Sequence, residues 1–246
     1  MNEEVTKVEV SPEGDVETEQ AVVKLPTRSQ VGRKIAMERD LSGADMSGAD
    51  LRGMKFTGVK MTKANLANAD ISGGVFAGAD AGEVDLSNAN LSGVRLMGVN
   101  LGKAILKNAQ LAAAKITGVN LSEADLSNTD LTDAKLMGTN LADTTVKNTN
   151  LTAVKIIGCN AQNADFTNAD LTAATMRRVD VTGADFTDVD TTGARAGGVD
   201  WSQAKVQPAQ LPEELPAVPP WVPGAIAGLT LVLAVLLLRR RRQKKG

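Results

Sequence analysis

The chain has 246 residues, yet no histidine, no tyrosine and only one cysteine. Without imidazole, His-based triads, proton relays and His-ligated metal sites are excluded, and a lone thiol excludes cysteine clusters. Neither a phosphate-binding loop nor a dinucleotide-binding fingerprint occurs. Aromatic residues make up 2% of the chain, so any core has to be filled by Leu, Ile, Val, Met and Ala. None of the eight prolines lies between Asp40 and Gln207, as a long β-ladder requires, because its rungs need N–H donors. Residues 1–38 have no basic start followed by an apolar run, so no secretory signal peptide is expected. With no catalytic residue, metal ligand or cofactor site to assign, the chain reads as a non-enzyme.

What the sequence has instead is a period of five. From Leu41 through Met46, Leu51, Phe56 and Met61 to Trp201 and Val206, every fifth residue is apolar; of these 34 positions only Thr191 departs. Two residues before each stands a small or modest side chain, such as Ala44, Ala49, Val59, Ala64 or Ala69. Five matches neither the helical period of 3.6 nor the strand period of 2. Self-similarity held over this length predicts a solenoid whose turns bury their apolar residues against one another.

A second period of 20 lies over the first. Asn recurs at 68, 88, 108, 128, 148 and 168, and Gly at 58, 78, 98, 118, 138, 158 and 198. Residues 20 apart therefore share an environment, and one turn consists of four pentapeptides and has four faces. Stacked at ~4.8 Å, the turns predict a rod roughly 40 Å long. Ala81, Ala161 and Ala196 stand where Leu is expected, which predicts locally underfilled turns. Cys159 takes one of the small inward positions and reads as a buried hydrophobe rather than a reactive thiol. The last turn is irregular, and Trp201 there reads as a lid over the open core.

The repeats Ala49–Gly53, A-D-L-R-G, and Ala64–Asn68, A-N-L-A-N, closely resemble those of the pentapeptide-repeat family, and the resemblance covers residues 39–208. It implies an all-β fold, a right-handed four-sided parallel β-helix of about 8 turns. The apolar centre and the small residue two before it would point inward and the other three residues outward. Most members of that family have no assigned biochemical role. The best-known ones resemble a DNA rod and bind bacterial topoisomerases.

Outside the repeats, residues 1–38 form an acidic segment in which Val5–Val10 alternates as a strand would, and Ser29–Asp40 is expected to close the first turn as a short helix with Ser29 as N-cap. Residues 209–220 read as a stiff Pro-rich stalk. Residues 221–238 carry no charge and, as a helix of ~27 Å, just span a hydrocarbon core. Trp221 would sit at one interface and Arg239, Arg240, Arg241 and Arg242 at the other, within a basic tail of residues 239–246. This predicts a single-pass C-terminal transmembrane helix. The bases after the span favour a cytoplasmic C-terminus with the rod outside, whereas insertion after translation, as a tail anchor, leaves the rod in the cytosol. The second route needs no export of a folded rod and is the one favoured. A surface-sorting tail is also similar in layout, but the nearest match to its Leu-Pro-x-Thr-Gly motif is only Leu211–Leu215, L-P-E-E-L.

Charge divides unequally among the four faces. Asp125, Asp130, Asp165 and Asp170 recur with the solenoid and read as solvated surface rather than an acid–base pair. The face centred on Phe56, Phe76, Leu96, Ile116, Leu136, Ile156, Met176 and Ala196 carries Lys55, Arg95, Lys115, Lys135, Lys155, Arg177, Arg178 and Arg195 outward, and no acid. Met97, Met137 and Ile157 would be exposed beside them. Asn100, Asn120, Asn140 and Asn160 on the neighbouring face read as an amide ladder. The basic residues form a candidate docking face for an acidic protein partner or anionic lipid. Nucleic acid is disfavoured, because stacking aromatics are missing. Three readings follow: a membrane-tethered scaffold or adaptor, a DNA-mimicking topoisomerase-binding protein, and an envelope protein with the rod outside. Self-association into a homo-oligomer stays open.

Overall fold

A computed structural model describes residues 24–25 and 27–216. The acidic segment before residue 24, including Val5–Val10, lies outside the described residues, as do the expected span 221–238 and the basic tail 239–246. Among the described residues no helix is long and apolar enough to cross a membrane.

The regular part is an all-β parallel solenoid of about eight turns. One face carries a continuous sheet of strands β1 (Lys55–Thr57), β2 (Val75–Ala77), β3 (Arg95–Met97), β4 (Lys115–Thr117), β5 (Lys135–Met137), β6 (Lys155–Ile157), β7 (Thr175–Arg177) and β8 (Arg195–Gly197), each paired in parallel with the next. The register is 20 throughout, so Phe56 lies over Phe76 and Leu136 over Ile156. The other three faces contribute columns of single parallel bridges, such as Asp45–Asn65–Asp85 and Asp50–Asp70–Asn90. Both inward positions of the repeat are buried: Leu41, Met46, Leu51 and Phe56 among the centres, and Ala44, Ala49 and Val59 two before them.

Three faces turn while the fourth stays extended, and the residue before each centre favours this division, although Lys60, Ile105, Gln110 and Thr145 are followed by the same turn without a side-chain acceptor bond. On the turning faces it is mostly Asp or Asn, whose side-chain oxygen accepts the backbone N–H two residues on: Asp45 from Ser47, Asp85 from Ser87, Asn90 from Ser92, Asp125 from Ser127. That bond is the Asx-turn, an alternative to the extended backbone. On the strand face the same position holds Lys, Arg, Val or Thr, none of which makes that bond, and the chain remains a strand.

The recurrence of Asn and Gly has its explanation at the corners. The residue two after each centre takes a left-handed conformation, as at Asn68 (φ 61°), Asn128 (φ 59°) and Gly118 (φ 60°). Gly and Asn tolerate this region best. Replacing Gly118 with Val is expected to lower stability by about 1–2 kcal/mol, and with Asn by clearly less. Denaturant unfolding of the two variants checks the ranking; equal losses would mean the corner is not under conformational constraint.

The ends depart from expectation in three places. Helix α1 spans Arg28–Met37 and is capped by Thr27, not Ser29. Thr27 and Gln30 form a reciprocal capping box, a pattern readable in T-R-S-Q, and so displace Ser29 into the first turn. At the other end the register slips by one: Asp185 pairs with Val206, 21 residues on, after a short 3-10 helix over Trp201–Gln203. Trp201 is half-buried and meets Phe186 edge to face, with centroids 5.2 Å apart, which fits the lid reading. The residues read as the start of a stalk instead continue the fold. Glu213–Glu214 form β9, which pairs with β8, the Thr191 hydroxyl donates to the Gln210 carbonyl, and Leu215 is buried over Ala196. The prolines suit this edge because the outer side of β9 pairs with no further described strand.

The underfilled turn at Ala81 is real but small: it borders an apolar void of about 10 Å³ lined also by Leu66, Phe76 and Leu101. Cys159 is buried, and burial pushes its thiol pKa up.

Candidate basic docking face

The strand face is a continuous parallel sheet, and its pleat sets two outward columns side by side. Lys55, Val75, Arg95, Lys115, Lys135, Lys155, Thr175 and Arg195 form one column, because these residues are direct partners down the ladder. Thr57, Ala77, Met97, Thr117, Met137, Ile157, Arg177 and Gly197 form the other, about 6.6 Å away along each strand. Met97, Met137 and Ile157 are exposed, at 45%, 44% and 37%, so the basic column runs beside an apolar one.

Six of the eight predicted basic residues therefore share one column. Arg177 stands in the apolar column and is half-buried. Arg178 sits at the corner and lines an open cleft with Asp180, Thr182, Asp200 and Gln203, where the last turn parts from the ladder. No reading of the sequence had marked that cleft; the signals were Arg in a column of Gly and the irregular last turn. Trp221 and Arg239–Arg242, assigned to membrane interfaces, lie outside the described residues.

Pairing is denser on the other faces than on this one, although Lys60 and Lys107 there also make no ion pair among the described residues. On the turning faces, bases meet acids across adjacent turns: Lys63 with Glu83, Lys103 with Glu123, Lys147 with Asp165, Lys205 with Asp185. On the strand face only Arg195 has an acidic partner among the described residues, and that is Glu213 of β9. Arg95, Lys115, Lys135 and Lys155 stack on like charge for four consecutive rungs. Each such step costs up to about 1 kcal/mol in water before the side chains splay. The fold accounts for the missing Asp and Asn, since either would favour a turn here. It does not account for the four bases, because Val75 and Thr175 fill the same column without charge.

Several acids of the turning faces are held by local hydrogen bonds. The Thr182 hydroxyl, its backbone N–H and the Gln162 amide hold the Asp180 carboxyl below its ordinary range. At Asp185 the Thr187 hydroxyl lowers the pKa most, partial burial opposes it, and Lys205 assists. At Asp165 burial is the largest influence and raises the pKa, but bonds from Lys147 and Thr167 prevail. A carboxyl depressed in the folded state adds stability that is complete above the ordinary Asp value of about 4 and vanishes as pH falls through the lower folded value. The melting temperature is therefore expected to stay level from pH 7 to 5 and to fall below about pH 4. Replacing Asp180 and Asp185 with Asn is expected to make that acid limb shallower in thermal circular dichroism; an unchanged limb would remove these groups as its source.

The amide ladder exists in part. The Asn100 amide donates to Asp80, Asn120 to Asn100 and Asn140 to Asn120, at 2.9–3.0 Å. All four side-chain oxygens also accept the N–H two residues on, but the Asn160 amide makes no bond to Asn140, so the ladder stops there. Among the described residues no cluster of three or more His, Cys, Asp or Glu is placed to hold a metal ion.

Pentapeptide repeats in eight-copy form match residues 40–73 and 64–102, and a pentapeptide repeat region matches residues 104–186. The chain belongs to the pentapeptide-repeat family. Among solved structures it is similar to HetL, a pentapeptide repeat protein involved in heterocyst differentiation regulation from the cyanobacterium Nostoc sp. strain PCC 7120. That likeness has a TM-score of 0.66 at 24% identity and covers 70% of this chain and 78% of HetL. A trypsin-treated variant of QnrB1, a plasmid-mediated fluoroquinolone resistance protein, is similar at a TM-score of 0.62 and 16% identity, over 72% of this chain and 89% of that one. At these identities the likeness shows the fold alone. Among curated proteins none matches the chain in sequence.

Proposed function

We infer that this pentapeptide-repeat protein is a non-catalytic, rod-like scaffold, tethered to a membrane through residues 221–238 and presenting its strand face to an acidic protein partner in the cytosol. The observation that carries this reading is the run of Arg95, Lys115, Lys135 and Lys155, without acidic partners among the described residues and flanked by exposed Met97, Met137 and Ile157. An interface gains orientation and rate from the charges and affinity from the apolar column. The uncharged stretch Trp221–Leu238 followed by six bases supports the tether. A DNA-mimicking role draws on the acidic turning faces, yet a positive stripe down the rod opposes contact with a surface that binds DNA.

The test changes Arg95, Lys115, Lys135 and Lys155 together to Ser in a chain ending at Pro220. The fold should persist, or gain slightly from relieved repulsion. The parent rod should bind a polyglutamate peptide at ~10 mM salt and lose it by about 0.15 M, where exposed charges are screened beyond ~8 Å. Unchanged binding in the quadruple variant, or none in the parent at low salt, would remove the docking role. Phosphatidylserine vesicles in place of the peptide distinguish an anionic leaflet as the true target.

A further inference from the structure

We propose that the strand face receives an acidic amphipathic α-helix of a partner protein. The helix lies along the rod, with its carboxylates on the Arg95–Lys155 column and its apolar side chains on Met97, Met137 and Ile157. The inference rests on the docking reading and adds the form that the partner takes.

Width is the first observation. The strands are three residues long, so the face is ~10 Å across. A helix with its side chains is about 10–12 Å in diameter, so one helix covers the face. Laid across the rod it would meet only about two rungs at ~4.8 Å; laid along the ladder it meets all four bases. The sheet continues past the stripe at both ends, through Val75 and Ala77 and through Thr175 and Arg177.

Spacing is the second. From Arg95 to Lys155 the column climbs three steps, roughly 14 Å. Helix positions i, i+3, i+7 and i+10 share one stripe and climb ~15 Å, so four acids there meet the four bases one to one. An extended strand turns every second residue to the same side, and four of these cover ~20 Å. Its last acid would overshoot by about one rung.

The apolar column is the third. Helix positions i+4, i+8 and i+11 form a second stripe, roughly 7 Å around the helix surface from the acids. The two columns of the rod stand about 6.6 Å apart. A helix that seats acids on one column thus sets apolar side chains on the other, and takes the exposed Met97, Met137 and Ile157 out of water.

A second copy of this chain fits less well. No column of its turning faces carries acids on more than two consecutive turns, as at Asp50–Asp70 and Asp165–Asp185. Each of these four carboxylates already accepts a backbone N–H two residues on.

The experiment uses the full chain in non-ionic detergent and three fluorescent peptides of one composition. The first has Glu at i, i+3, i+7 and i+10 with Leu at i+4, i+8 and i+11, the second alternates Glu and Leu, and the third is scrambled. At ~10 mM salt the first should bind about tenfold more tightly than either of the others and gain helical circular dichroism on binding. Changing Met97, Met137 and Ile157 together to Ser should weaken that peptide about tenfold. Changing Arg95, Lys115, Lys135 and Lys155 together to Ser should abolish binding of all three. Both variants alter exposed side chains only and should keep the β signal of the parent. Equal affinities of the three peptides, or a first peptide indifferent to the Met and Ile changes, would overturn the helix and leave the docking role standing. So would binding of polyglutamate but of none of the three. Binding of none of the four would overturn both. Self-association of the parent at ~10 mM salt that the quadruple variant loses would make a second copy the occupant, and the helix would fall.

Discussion

Replacing Leu126 with Asp is expected to leave no folded rod. Leu126 is 2% exposed, and its neighbours along the axis are Leu106 and Val146, so a carboxylate there cannot turn towards water. The hydroxyls nearest to hand are already committed, because Thr129 and Thr149 both donate to the Leu126 carbonyl. An unpaired buried charge costs many kcal/mol, against a total stability of about 5–15 kcal/mol for a domain. Circular dichroism should show loss of the β signal at 25 °C and pH 7. Asp125→Asn, one residue away, is the control and should cost under about 0.5 kcal/mol, the range of ordinary surface changes. Its side chain needs only to accept the Ser127 N–H, as Asn90 accepts that of Ser92. If the Leu126 variant folded with cooperative unfolding, the narrow core would have to be plastic, and the repeat would owe its order to the corners instead.

Deleting residues 217–246 is expected to move the protein from the membrane fraction to the soluble one. The full chain, if tethered as proposed, should resist extraction by high salt and by alkaline carbonate, since an apolar span is held by the hydrocarbon and not by charge. The shortened chain keeps β9 and Leu215, which close the last turn, and should unfold at the same temperature as the parent. A further deletion that also removes residues 209–216 should lower that temperature, because it uncovers Ala196 and strips β8 of its partner. Membrane association that survives the first deletion would place the tether elsewhere or nowhere.

Most of the rod was legible because the repeat writes each residue's environment twice, in its position within five and within twenty. The centres, the small inward residues and the stacking of Arg95, Lys115, Lys135 and Lys155 all follow from those two numbers. Asp and Asn before the centres were legible too, but were read only as solvated charge or as a ladder. Their bonds to the N–H two residues on favour the turns of three faces, and the face without them is the sheet. The ends were harder for a physical reason: periodicity is silent where the period stops. Thr27 took the cap that Ser29 was given because the capping box needs Gln30 at its third position. Val206 kept its place in the count of five but not in the ladder, since the short helix at Trp201 consumes one extra residue. Glu213 and Leu215 look like spacer by composition, and only the open edge of β8 gives them a place. The four bases were visible as a stripe, whereas their lack of acidic partners shows only beside the ion pairs that Lys63, Lys103, Lys147 and Lys205 make on the other faces.

The covered ends carry a consequence for growth. A stack of parallel rungs at ~4.8 Å exposes, at either terminus, a template on which another copy could add indefinitely, as in a cross-β fibril. Here α1 with Val31 and Leu25 closes one terminus, and Trp201, β9 and Leu215 close the other, by different devices that do not complement each other. These covers leave no bare rung of the regular ladder at either tip of the described rod, and end-to-end growth is expected to be blocked as long as they stay in place. Loss of either stopper would turn a measured rod into a seed.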